Sequence, residues 1–367
     1  MKVVFRADAS LSIGTGHVMR CLTLAEELRR QGHACQFVCR DHPGHLAGFI
    51  LSKGFTCDLL SNPAVPEARR VSVNETAHSD WLGVSWEMDA DQTLSVVDKP
   101  DVDWLVADHY ALESRWENRL ASVAKRVMVI DDLADRNHDC DLLLDQNLGS
   151  QEADYSHRVP ERCVRLIGPR YALLRPEFAE LREAALKRRV KPEVKRILIS
   201  LGGVDSDNVT GKVLNALANS SLPGDTDLDI IMGATAPHLD EVQQMAQQLP
   251  FRAEVSVNVY DMADRMCRAD LSIGAAGSTS WERCCLGLPS IMVILAENQR
   301  NIGNALAQSG CAYLVDRDRI ADELSPLLSR LVEPGKELER LAANAELVCD
   351  GKGSSRLVSE MTRIIHS

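Results

Sequence analysis

Short apolar runs alternate with segments whose apolar positions recur every three or four residues, and the alternation happens twice along the chain. In the first half, Lys2–Arg6, Ala34–Cys39, Trp104–Ala107, Arg126–Ile130, Asp141–Leu144 and Val164–Ile167 are runs of strand length. Between the first two, Val18, Cys21, Leu22, Ala25 and Leu28 fall on one helical stripe. A second series starts at Arg196, with strands expected at Ile197–Ser200, Leu228–Met232, Ala253–Val257, Leu271–Ile273, Ser290–Ile294 and Ala312–Val315. Strands that alternate with helices pair in parallel, so the pattern predicts an α/β protein with two doubly wound, Rossmann-like sheets facing across a cleft.

The expected domains are residues 1–180, a linker over 181–195, a second domain over 196–350, and a final helix over 351–367 that packs back on the first domain. The charged run Glu180–Lys195 marks the linker. The polar stretch Ser61–Pro100 carries Pro63, Pro66, Pro100, Trp81 and Trp86 and reads as a decorated connection with one helix. The halves share architecture and show no sequence repeat.

Composition narrows the partners. The 367 residues suit two domains, and 45% apolar with 26% charged residues is ordinary for a soluble globular chain. A net charge of −12 argues against nucleic acid or an anionic membrane as partner and leaves a small anionic substrate open. The 11 cysteines form no C-x-x-C and no zinc spacing, so they read as reduced core thiols of a cytoplasmic protein. The start of the chain shows no signal-peptide pattern, and no apolar run is long enough to cross a bilayer.

Two strand–glycine turn–helix units carry the chemistry. In the first, Gly14 and Gly16 lead into a helix with His17 at the junction. The positive end of a helix favours a neutral imidazole, so His17 is a candidate base; it could equally be a polar residue filling a first turn. Met19 stands where a dinucleotide fingerprint needs its third glycine, which argues against NAD or FAD. In the second, a loop follows Ile273, and the N–H groups of Ala276, Gly277, Ser278 and Thr279 could hold a pyrophosphate. Glu282 could accept from both ribose hydroxyls, or be a solvated carboxylate of a capped helix. No Walker lysine is present, which excludes a P-loop. Asp108-His109-Tyr110, Asp131-Asp132 and Asp145-Gln-Asn147 follow other strands of the first half and converge on the same sheet edge. Structural hydrogen bonding is the expectation for these carboxylates, ahead of a metal.

Phe5-Arg-Ala-Asp8, Ile13-Gly-x-Gly-His17, Asp108-His-Tyr110, Asp131-Asp132, Cys140-Asp-x-Leu-Leu, Gly168-x-x-Tyr-Ala-Leu-Leu-Arg175-x-x-Phe178 and Leu201-Gly-Gly203 occur in this order. In these motifs the chain resembles the UDP-2,4-diacetamido-2,4,6-trideoxy-β-L-altropyranose hydrolases of pseudaminic acid synthesis (PseG) over nearly its whole length. The second half alone resembles GT-B UDP-sugar transferases similar to MurG. The chain is longer than compact members of the family, mainly through Ser61–Pro100. The resemblance implies a GT-B fold, UDP held mainly by the second domain, and metal-free hydrolysis at the anomeric carbon with inversion and no cofactor. It implies that His17 activates the water and that Gly14, Gly16, Tyr110, Arg175 and Gly203 contact substrate. By the same resemblance, Glu282 binds ribose, Asn298 faces the substrate, and Asn258–Met262 lies near the uracil. Asp8, Asp108 and Asp132 would brace the site. Arg175 also admits a surface or interdomain ion pair, and Asn298 a helix cap. A glycosyltransferase of MurG-like type, a hydrolase for a related diacetamido sugar, a UDP-sugar epimerase and a non-catalytic nucleotide-sugar sensor are the competing functions. The expected partners are a UDP-sugar and water, and the two-domain arrangement needs no second chain, so a monomer is expected.

Overall fold

The computed structural model describes residues 1–62, 76–97, 101–333 and 336–366. Its strands are β1 (Lys2–Ala7), β2 (Ala34–Arg40), β3 (Thr56–Leu60), β4 (Val102–Asp108), β5 (Ala124–Ile130), β6 (Leu142–Asp145) and β7 (Val164–Ile167) in a first sheet. A second sheet holds β8 (Arg196–Ser200), β9 (Asp227–Met232), β10 (Arg252–Val257), β11 (Leu271–Ala275), β12 (Ser290–Ile294) and β13 (Ala312–Asp316). All twelve expected strands are present, within two residues at each end. The addition is β3, whose Thr56-Cys-Asp-Leu-Leu mixes polar and apolar residues because it is an edge strand, half exposed.

Both sheets are wholly parallel. The first runs β3-β2-β1-β4-β5-β6-β7 and the second β10-β9-β8-β11-β12-β13. In each, the order reverses beside its first strand, so the switch points lie at β1/β4 and β8/β11. Loops leaving the carboxyl ends of those strands diverge there and leave room for a ligand. The glycine turns after β1 and β11 are therefore where the fold itself favours a site.

The chain divides into two compact units. One is Met1–Leu173 with Lys352–Ser367, and the other is Leu174–Gly351. In the first, alternate residues of β1 enter opposite layers. Val3 and Phe5 pack with Val18, Leu22, Ala25 and Leu28 of the helix Gly16–Arg30, while Val4 packs with Val38, Leu105 and Trp116 on the other face. The last helix, Gly353–Ile365, adds Leu357, Val358, Met361 and Ile364 to the first layer. Full burial of side chains of this size stabilises by about 1.5–3 kcal/mol each. Gly353 is required at that junction, since a Cβ would lie 2.2 Å from the Ala172 carbonyl oxygen.

The segment expected as linker is different in kind. Pro176–Arg188 is one helix of the second unit, and Arg182 donates to the carbonyls of Cys285, Cys349 and Glu346. Of the Ser61–Pro100 stretch, Pro63, Pro66 and Pro100 lie outside the described residues. Trp81 sits in a short 3₁₀ turn, Ser79–Leu82, and Trp86 opens the helix Trp86–Val96. All eleven cysteines are free thiols, eight of them buried. No described helix is long and apolar enough to cross a membrane.

Candidate active site

The first unit builds a charged cluster at the β1/β4 switch point. His17 is the second residue of the helix Gly16–Arg30, and Asp108 ends β4. The His17 ring donates from Nδ1 to Asp108 Oδ1 at 2.6 Å. Arg20, one turn along the same helix, grips Asp108 through Nε and Nη2, both at 2.6 Å, and reaches Asp132 Oδ2 with Nη1 at 2.8 Å. Asp108 is wholly buried, and Arg20 and His17 hold its carboxyl well below the usual carboxylate range against the opposing effect of burial. An ionised Asp108 accepting from Nδ1 fixes the imidazole tautomer and leaves the Nε2 lone pair without a partner among the described residues.

Tyr110 closes this corner. Its ring meets His17 edge-on, with centroids 4.6 Å apart. Burial and then Asp132 raise its hydroxyl far above the ordinary range, so it stays a neutral phenol. His109 turns the other way: Ala111 N–H donates to its Nδ1, and its Nε2 lies 3.4 Å from Asp8. Burial pushes His109 down to about 3, so it is a neutral structural residue. The three residues Asp108-His109-Tyr110 thus hold the base, the floor and the wall. Gly14 has φ +80° and pairs with Ser10, which closes the turn before the helix; Gly14 and Gly16 are exposed beside His17.

Beneath lies a salt-bridge network that the motifs only half reveal. Arg6 forms paired bonds with Asp8 and with Asp89, and Asp89 also takes Arg40 and the Trp116 indole N–H. All five are fully buried. Two cations meet two carboxylates, so no net charge is left in the core. Asp89 comes from the helix Trp86–Val96, which fastens that otherwise polar stretch to the sheet. The remaining carboxylates are likewise engaged: Asp131 with Arg136, Asp132 with Arg20, and Asp145 with Tyr155.

The second unit places its own residues at β8/β11. Gly277, Ser278 and Thr279 are at the mouth of the loop after β11, Gly277 half-buried and the other two exposed. The Ser278 hydroxyl makes no capping bond. The Ala276 N–H is taken by the Val293 carbonyl at 3.1 Å, so Ala276 cannot serve a ligand through that group. The expected four-donor cradle is thereby a three-donor one. Gly203 leaves β8 alongside and accepts from Gly233 N–H at 3.0 Å. Gly274 and Arg283 fix the loop from below. The Arg283 guanidinium is buried, donates to Ala275 O and Ser280 Oγ, and occupies the space a Cβ on Gly274 would need.

Glu282 projects from the helix Thr279–Cys285, opposite the buried stripe of Trp281, Cys284, Cys285 and Leu288. Burial pushes its carboxyl up to about 7, with Arg175 pulling the other way. Arg175 Nη2 is 3.8 Å from Glu282, and its Nη1 is 3.1 Å from Glu177. Arg175 therefore joins two glutamates of its own unit. Asn298 falls in the 3₁₀ turn Glu297–Gln299, and its side chain lies outside what is described. Asn258 adopts φ +51° after β10 and accepts from Ala234 N–H, while Tyr260 beyond it is exposed.

Arg20 and Asp89 are the participants that reading the sequence did not find. Arg20 had a signal, since it lies three residues from His17 on the same helix face; Asp89 had none, because its partners are 49 and 83 residues away.

Known proteins bear on this arrangement. Residues 198–357 match the glycosyltransferase family 28 C-terminal domain. The chain is similar to an uncharacterized protein of Methanocaldococcus jannaschii, 24% identical over 99% of this chain and 66% of that protein. It is also similar to the UDP-2,4-diacetamido-2,4,6-trideoxy-β-L-altropyranose hydrolase of Campylobacter jejuni, 25% identical over 84% of this chain and 97% of that one. Among solved structures, Acinetobacter baumannii MurG superposes with a TM-score of 0.67 over 99% of both chains at 17% identity. The fold is GT-B, with a family 28 domain in its second half. Within that class the chain is similar to the Campylobacter jejuni hydrolase in sequence, the resemblance its motifs led one to expect.

Proposed function

We propose that this chain is a nucleotide-sugar hydrolase that cleaves UDP from UDP-2,4-diacetamido-2,4,6-trideoxy-β-L-altropyranose, in the synthesis of pseudaminic acid. The observation that carries the reading is the His17 ring, anchored at Nδ1 by Asp108 and open at Nε2. In this reading, water attacks C1, its proton passes to His17 Nε2, the C1–O bond to the diphosphate breaks, and UDP leaves with the bonding pair. Configuration at C1 inverts. Asp108 stabilises the imidazolium that forms, as an acid–base pair of this kind does. The second unit holds UDP, with Glu282 on the ribose hydroxyls and Gly277, Ser278 and Thr279 on the diphosphate, where negative charge grows. Gly203 and Asn298 border the nucleotide, Arg175 orients Glu282, and the turn at Asn258 lies by the base. Tyr110, Gly14 and Gly16 border the sugar. The chemistry calls for no metal or cofactor.

A UDP-sugar transferase on the same fold is the second reading, favoured by the family 28 match. The test is the purified protein with the UDP-sugar, a chelator and no acceptor, followed at the anomeric proton by NMR. UDP and free sugar of inverted configuration support hydrolysis, and His17→Ala should slow the release by about 10²–10⁴-fold. Substrate that persists until an acceptor is added would move the reading to transfer.

A further inference from the structure

The stretch after β3 that the motifs do not explain brings two aromatic rings to the His17 corner. His78 and Trp81 have ring centroids 4.6 Å apart. Both pack on Tyr110, His78 at 5.3 Å and Trp81 at 5.7 Å with planes 30° apart. Tyr110 in turn meets the edge of His17 at 4.6 Å. His78, Trp81 and Tyr110 thus form a triangle of rings that reaches His17 through Tyr110, all within the first unit.

The cluster is braced by its neighbours, and core packing does not account for it. Leu82 and Val84, the next apolar residues, are buried in the layer behind the sheet, whereas His78 and Trp81 stay half-exposed. Gly83 makes the turn between them with φ +78°, and a Cβ there would lie 2.8 Å from the His42 ring, so the turn sits hard against the loop after β2. Ser85 caps the following helix, and Asp89 on that helix is locked to Arg6, Arg40 and Trp116. A half-exposed tryptophan held against the tyrosine that packs on His17 has a face to offer a ligand.

We propose that Trp81, with His78 and Tyr110, is the sugar-reading wall of the site, taking an apolar face of a deoxy, N-acylated hexose. This rests on the nucleotide-sugar reading above. The π face of an aromatic ring is negative and attracts polarised C–H groups. A 6-deoxy methyl and N-acyl methyls supply such groups where an ordinary hexose carries hydroxyls. A hydroxyl set against Trp81 would lose its water without gaining a partner, so the wall discriminates as well as binds.

Two measurements test it together. Saturation-transfer NMR on the wild-type protein, with free 2,4-diacetamido-2,4,6-trideoxyhexose as probe, should show the methyl protons receiving saturation, and Trp81→Ala should abolish it. In kinetics, Trp81→Ala should lower kcat/KM for the UDP-sugar by about 10–200-fold, leave inhibition by UDP unchanged, and be largely rescued by Trp81→Phe. Wild-type protein that saturates no methyl, or a Trp81→Ala variant with undiminished saturation and unchanged kcat/KM, would overturn the wall. If the wild type releases no UDP yet loses methyl saturation in Trp81→Ala, the wall stands and the hydrolase reading falls.

Discussion

Replacing Asp108 by Asn tests the base directly, because it keeps shape and removes charge. Asp108 accepts from His17 and from two nitrogens of Arg20, all at 2.6 Å. An amide has one oxygen for these three donors. With its oxygen toward His17, its NH₂ faces Arg20 Nε; flipped, its NH₂ faces His17 Nδ1 and drives the ring proton to Nε2, where the base is needed. In the milder case the imidazolium loses its counter-charge. Two unit charges about 4 Å apart at an effective dielectric near 20 are worth about 4 kcal/mol. At 1.36 kcal/mol per decade that is a fall of about 10³-fold in kcat. The assay is UDP release under saturating substrate, with thermal unfolding to show the variant is folded and calorimetry to show that UDP still binds. A folded Asp108→Asn protein with kcat within about threefold of wild type would refute the dyad.

Two further expectations concern the second unit. Glu282, held up to about 7, should be mostly protonated at pH 6 and ionised at pH 8, and only the carboxylate accepts from both ribose hydroxyls. Affinity for uridine, which has no phosphate to titrate, should therefore rise about tenfold between those pH values in wild type and stay flat in Glu282→Gln; a flat wild-type profile would refute the role. Gly274→Ala should destabilise by about 3–5 kcal/mol, read as a fall in denaturant midpoint, because it displaces a buried, hydrogen-bonded Arg283. Gly277→Ala is the control: its Cβ would meet Gln299 at an ordinary 3.6 Å, so a comparable loss there would show the loop, not Arg283, to be the sensitive part.

The frame was legible because parallel strands buried on both faces are nearly continuous apolar runs, and Val3-Val4-Phe5 or Ile197-Leu-Ile is hard to misread. An edge strand escapes that signal, which is why Thr56–Leu60 shows no continuous apolar run. His17 and Tyr110 stood out because motif and turn coincide, and the structure brings those two together. Arg175 shows the limit of the same reasoning: its motif is continuous with the first half, yet its charge serves the second. The four backbone donors expected after β11 became three because Ala276 still belongs to the sheet ladder through Val293, a matter of one residue at a strand end. Buried ion networks such as Arg6–Asp8–Asp89–Arg40 are invisible in one dimension, since local sequence does not say which arginine turns inward.

The return of the helix Gly353–Ile365 to the first unit sets an order of events during synthesis. The second unit is one unbroken stretch, Leu174–Gly351, and has all its strands and core in hand before the ribosome reaches that helix. The first unit begins earlier and finishes later. The Val18 and Leu22 face stays without its Leu357 and Met361 partners until those residues emerge. The half that carries His17 is thus sealed last, by a segment translated some 330 residues after the helix it covers. A chain cut short just before Gly353 would leave a finished second unit tethered to an open, sticky first one, a ready target for chaperones and proteases.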